Sequence, residues 1–178
     1  TTGSYIFIHR TNDRAYTEHI NSCKPPCVKY VYTVDCKGTF ENTSAIPFGN
    51  SSINGEDEIL KSVCRETEKY VRTTKMFARF NVNRDGSTEH RQQANTELPK
   101  NTFIKFLIEQ IQGDEFYREV KAHKFTLALA GCGADASRQW SAIQLGSIPI
   151  VTDCPEMRHF EDLPMLYCPK PISLLTEE

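Results

Sequence analysis

Two glycines and an arginine, Gly131 and Gly133 followed by Arg138, lie between two short apolar runs, Phe125 to Ala130 and Ile148 to Val151. Glycines leave backbone N–H groups bare, and the start of a helix carries partial positive charge, so the place suits a phosphate. Asp135-Ala136-Ser137-Arg138 opens an amphipathic stretch that stops at Gly146. The order is strand, glycine turn, helix, glycine stop, strand. It predicts an α/β domain that handles a phosphate or nucleotide, held by the backbone around Gly131, Gly133 and Ala134 and by the Arg138 guanidinium.

Gly131 to Ala136 also fits the dinucleotide fingerprint G-x-G-x-x-[GA], and Asp153 follows at about the ~20-residue distance expected of a ribose-binding acid. An NAD(P)-binding domain is therefore one reading. Against it, only one clear strand follows the turn, whereas a dinucleotide fold places this fingerprint on its first strand and needs several βα units after it.

A second reading comes from resemblance. Lys124-Phe125, then Gly131-x-Gly133-x-Asp135-x-x-Arg138-x-Trp140, then Leu145-Gly146-Ser147-Ile148-Pro149-Ile150-Val151 resemble the C-terminal signature of exostosin-like glycosyltransferases of the family-47 type. Family-10 fucosyltransferases show a looser version. Upstream, Phe77-Ala78-Arg79-Phe80-Asn81-Val82-Asn83 and Arg91 are similar to the first strand and arginine-bearing helix of the same half. The resemblance implies a GT-B-related fold whose Rossmann-like C-terminal half holds a nucleotide-sugar, UDP- or GDP-linked. It implies donor contacts from Gly131, Gly133, Ala134, Asp135 and Arg138, and transfer of the sugar to a hydroxyl of a glycan or glycoprotein acceptor. Relatives commonly carry an acid after the aromatic position, where it is thought to meet the donor ribose. Here Ser141 follows Trp140, which leaves ribose recognition to Ser141, Gln144 or Asp153.

The chemistry fits these residue types. Sugar transfer leaves negative charge on the departing diphosphate, which arginines and helix N-termini can meet without a metal. No Asp-x-Asp motif occurs in the chain, so neither a metal nor another cofactor is expected. Arg79 and Arg84 are further candidate diphosphate ligands. An inverting enzyme would also need a general base for the acceptor hydroxyl. His9 and Asp13 follow the first strand, on the edge where α/β sites gather, and are the candidates. Asp35 and His90 are read as structural residues, and a retaining mechanism would need no such base. A non-catalytic binding module, or a fragment lacking its partner domain, is the third reading, because complete GT-B enzymes have two Rossmann-like halves.

A chain of 178 residues suits one domain. A net charge of −2 argues against nucleic acid as the main partner. Seven cysteines are an odd number, and CKPPC (Cys23, Cys27) has no second pair to complete a zinc site. Reduced, mostly buried thiols are expected. With no signal segment, and no apolar run near the ~20 residues of a membrane span, a cytoplasmic setting is favoured. Asn42-Thr43-Ser44 and Asn50-Ser51-Ser52 match the glycosylation sequon but do not decide the compartment. The start at Thr1, without methionine, suits a piece of something longer, with further domains.

The elements that must position these residues are strands at Tyr5 to Ile8, Val28 to Val34, Lys75 to Val82, Phe125 to Ala130 and Ile148 to Val151. Helices are expected from Arg14 to Ser22, from Glu56 to Arg72 and from Ser87 onward. Phe103, Phe106, Leu107 and Ile111 form an apolar stripe at helical spacing, expected to pack on the sheet. Asp35 to Gly55 and the chain after Asp153 read as irregular. Strands alternating with helices predict an α/β fold, Rossmann-like, with a mostly parallel sheet covered on both faces and reduced in size. Residues 1–178 are expected to form a single compact domain, with 1–72 as an acceptor-side lobe and 73–178 as the nucleotide-sugar side.

Overall fold

The computed structural model describes residues 4–9, 23–34, 36, 41–52, 55–67, 71–82, 88–109, 111, 113–131 and 133–168. The strands form two separate sheets, and every strand pair is parallel. The first holds β1 (Tyr5–His9), β2 (Val28–Thr33) and β3 (Thr43–Ala45), in that order. The second holds β4 (Thr73–Ala78), β5 (Ile104–Phe106), β6 (His123–Ala128), β7 (Ile148–Thr152) and β8 (Leu166–Cys168), in the spatial order β5-β4-β6-β7-β8. The helices are α1 (Glu56–Arg65), α2 (Thr88–Glu97), α3 (Asp114–Ala122), α4 (Ser137–Gln144) and the short α5 (Pro155–Arg158). This is the expected Rossmann-like α/β class.

Side chains of β4 alternate between the two faces of the five-stranded sheet, as the two-residue period of a strand requires. Met76 and Ala78 pack with Ala94 of α2, Leu98 and Leu127. Phe77, fully buried between them, joins Leu60 and Val63 of α1, Tyr117 and Val120 of α3, and Ala142 of α4. Each face is thus closed by helices, which a parallel sheet needs.

Several expected elements differ. The stripe from Phe103 to Ile111 is not a helix: it holds the edge strand β5, fixed when Phe103 C=O accepts from Met76 N–H and Leu107 N–H donates to Ala78 C=O. The helix in this region is α3, which begins after Gly113 at positive φ. α1 stops at Arg65 rather than Arg72, because Lys121 Nζ donates to the Val63 and Glu66 carbonyls and satisfies its end. The stretches read as irregular contain β3, α5 and β8. The helix from Arg14 to Ser22 lies outside the described residues. Of the six described cysteines, Cys23, Cys27 and Cys64 are exposed, so these are not the mostly buried thiols expected.

Gly146 ends α4 at φ 74°, where L side chains are strained. The Arg72 guanidinium donates to the carbonyls of Leu145 and Gly146 there. A Cβ on Gly146 would lie 2.6 Å from Arg72 Nη2. Gly146→Ala is therefore expected to cost about 2–3 kcal/mol in urea unfolding, from the left-handed backbone and the displaced cap together. The penalty should shrink in an Arg72→Ala background, because the two changes share one contact.

Candidate functional site

In a sheet ordered β5-β4-β6-β7-β8 the chain passes from β4 to one side and then returns to build outward on the other. The crevice at the carboxyl ends of β4 and β6 is thus the topological switch point, where open α/β sheets bind ligands. Ala78 pairs with Leu127, so Arg79-Phe80-Asn81 and Leu129-Ala130-Gly131 leave the sheet side by side. The glycine turn is therefore built on this crevice.

Arg91, 3% exposed, fixes the two exits relative to each other. Its Nε donates to Ala130 C=O at 3.1 Å and its Nη1 to Asn81 C=O at 2.6 Å. It lies 6.0 Å from the Phe80 ring centre, and a Cβ on Gly131 would come within 3.3 Å of its Nη2. Gly131 thus makes room for an arginine. Its own N–H donates to Gly133 C=O at 2.8 Å, closing the turn.

Arg79 is different. It is half-buried, its Nε is buried without a partner, and among the described residues no acid pairs with it. Burial lowers its pKa, since the charged form is poorly solvated.

The turn leads into α4, whose N-terminus has no side-chain cap and no acid in its first turn. Arg138 stands half-buried in that turn, where the helix dipole opposes a cation. Asp135, 2% exposed, is engaged inward. Its Oδ1 accepts from Trp140 Nε1 at 2.6 Å and Gln139 Nε2 at 2.9 Å, and its Oδ2 accepts from Phe48 N–H at 2.6 Å. Trp140 packs edge-on against Phe160 in the core. Ser141, also buried, donates its hydroxyl to Asn50 Oδ1 at 3.1 Å and Ser137 C=O at 3.0 Å.

Phe48 and Asn50 belong to the segment that leaves β3. Within the three-stranded sheet His9 pairs with Thr33 and Thr33 with Ala45, so His9 stands in the row from which this segment departs. Sequence reasoning missed Phe48 and Asn50 because a polar loop read as an excursion. The only signal was Ile46-Pro47-Phe48-Gly49-Asn50, an apolar patch within it.

Asp153, at the end of β7, is held in a two-pronged pair with Arg158, 2.7 and 2.6 Å, whose hydrogen bonds keep its carboxyl below the usual range. Gln144 is exposed at the end of α4. The switch point gathers Arg79, Gly131, Gly133, Ala134, Asp135 and Arg138 around two adjacent strand exits. Asp153 lies one strand further along. Asp13 and Arg84 lie outside the described residues, as does the side chain of His9.

Among the described residues no three His, Cys, Asp or Glu side chains are grouped to hold a metal ion. No described helix is long and apolar enough to cross a membrane. No family model matches the chain, and none of the curated proteins does.

Proposed function

We propose that the chain is a metal-independent glycosyltransferase domain of GT-B-related architecture. It would hold a UDP- or GDP-linked sugar at the β4/β6 switch point and pass the sugar to a hydroxyl of a glycan or glycoprotein. The observation that carries this reading is Arg79, a partly desolvated guanidinium whose Nε is unpartnered and beside which no acid stands among the described residues, where β4 leaves the sheet at the switch point. A partly desolvated cation gains from an anion beside it, and a diphosphate supplies that anion. The uncapped N-terminus of α4 and Arg138 in its first turn supply further positive potential.

In this reading Arg79, Arg138 and the α4 amides hold the diphosphate and stabilise its charge as the glycosidic bond breaks. His9, or Asp13 beyond it, takes the proton of the acceptor hydroxyl if the reaction inverts. His9 suits that role by position, in the strand row that leads to the segment touching the turn.

Calorimetry against UDP, GDP and NAD tests the reading. UDP or GDP is expected to bind and NAD not to, and Arg138→Ala should weaken nucleotide binding about tenfold with the fold intact. Unchanged affinity in that variant would remove Arg138 from the site. Tight NAD binding would replace the sugar-nucleotide with a dinucleotide, and nucleotide binding without donor hydrolysis or transfer would favour a binding module.

A further inference from the structure

We propose that Asp135 is a positioning residue that latches the Ile46–Asn50 segment of the three-stranded sheet onto the phosphate turn, so that the segment forms the second wall of the nucleotide site. The inference rests on the nucleotide reading above and assigns Asp135 a role other than donor contact.

Three donors of the described residues converge on this one buried carboxylate. Two come from α4 itself, Gln139 and Trp140, and they fix the orientation of the carboxylate relative to the helix start. The third, Phe48 N–H, comes from 87 residues away in sequence, out of the other sheet. A carboxylate accepting three hydrogen bonds is well compensated for its burial, and each such bond is stronger than a neutral one. The latch has a second point, the Ser141 hydroxyl on Asn50, one turn further along α4. One point lies just before α4 and the other in its second turn, on either side of the helix N-terminus that faces the crevice. A segment pinned there excludes water from the α4 amides and strengthens their attraction for phosphate oxygens.

The chemistry of an amide separates the latch from the turn. In Asp135→Asn the amide oxygen keeps two donors if it stays toward Gln139 and Trp140, and only one if it flips. It therefore stays, and the NH2 group meets Phe48 N–H, donor against donor. The variant releases the segment while the turn keeps its own bonds.

The experiment measures amide hydrogen exchange at Phe48 and UDP affinity in the same proteins. Asp135→Asn is expected to speed exchange at Phe48 and to weaken UDP binding about tenfold. Phe48→Pro, which removes the N–H and leaves Asp135 intact, should weaken UDP similarly, and it covers the case in which Asp135→Asn fails to fold. Arg79→Ala should weaken UDP without changing Phe48 exchange. Unchanged exchange in Asp135→Asn would overturn the latch. Faster Phe48 exchange in Asp135→Asn, with UDP affinity unaltered in both latch variants, would overturn the positioning role. If the unaltered chain binds neither UDP nor GDP, the nucleotide reading fails, and the exchange measurement still decides the latch.

Discussion

Replacing Arg79 by alanine is expected to lower the affinity for UDP about a hundredfold, while leaving the empty protein at least as stable as before. The two halves of that result have one cause. A guanidinium that is partly desolvated, with its Nε buried and unpartnered and no acid beside it among the described residues, makes no gain in the empty fold to set against its lost hydration. Removing it costs the unliganded protein little. With a diphosphate present, the same group makes charge-assisted hydrogen bonds, which amount to about 2–3 kcal/mol when truncated. Calorimetry with UDP and thermal unfolding without it measure the two sides separately. A purely structural arginine would give the opposite pattern, a lower melting temperature and an unchanged dissociation constant. Arg79→Met keeps the aliphatic stem and serves as the control. If alanine lowers stability and methionine restores it, with UDP affinity unaffected in both, Arg79 packs and does not bind.

The part of the fold that carries this site was legible in the sequence for identifiable reasons. From His123 to Thr152 the apolar pattern changes from strand to helix and back, and glycines mark both changes, so β6, α4 and β7 follow from local signals. The edge strands β3, β5 and β8 did not, because three residues are too few to show a period and their hydrogen bonds come from neighbours distant in sequence. The stripe around Phe103 shows the ambiguity directly: its spacing suits a helix, but the register Met76 with Ile104 and Ala78 with Phe106 draws it into the sheet.

The site divides along the same line. Residue types and order marked Gly131 and Arg138, whereas the direction of a side chain was invisible. Asp135, just before a helix, reads as a donor contact. It is engaged inward because Trp140 and Gln139, on the next turn, and Phe48, from another sheet, all point donors at it. Only the fold brings Phe48 there.

Arg91 makes the opposite case to Arg79, and its replacement is expected to be the more damaging to the fold. Arg91→Ala should destabilise the protein by about 3 kcal/mol, seen as a loss of roughly 6–12 °C in melting temperature for a chain of this size. Its guanidinium is 3% exposed but is engaged by carbonyls, Ala130 from the β6 exit and Asn81 from the β4 exit. Truncation removes two hydrogen bonds from a charged donor, each worth about 1.5–3 kcal/mol. It also empties the space beside Gly131 and Phe80. Arg91→Lys should recover less than half of the loss, because one ammonium cannot reproduce a fork that reaches two strands at once. The fork ties the Asn81 carbonyl of the β4 exit to the Ala130 carbonyl of the β6 exit across the crevice. UDP affinity should therefore fall in Arg91→Ala even at temperatures where the protein is still folded. Full stability in Arg91→Lys would show that charge alone holds the two exits, and unaltered UDP affinity in folded Arg91→Ala would show that the crevice keeps its shape without the fork.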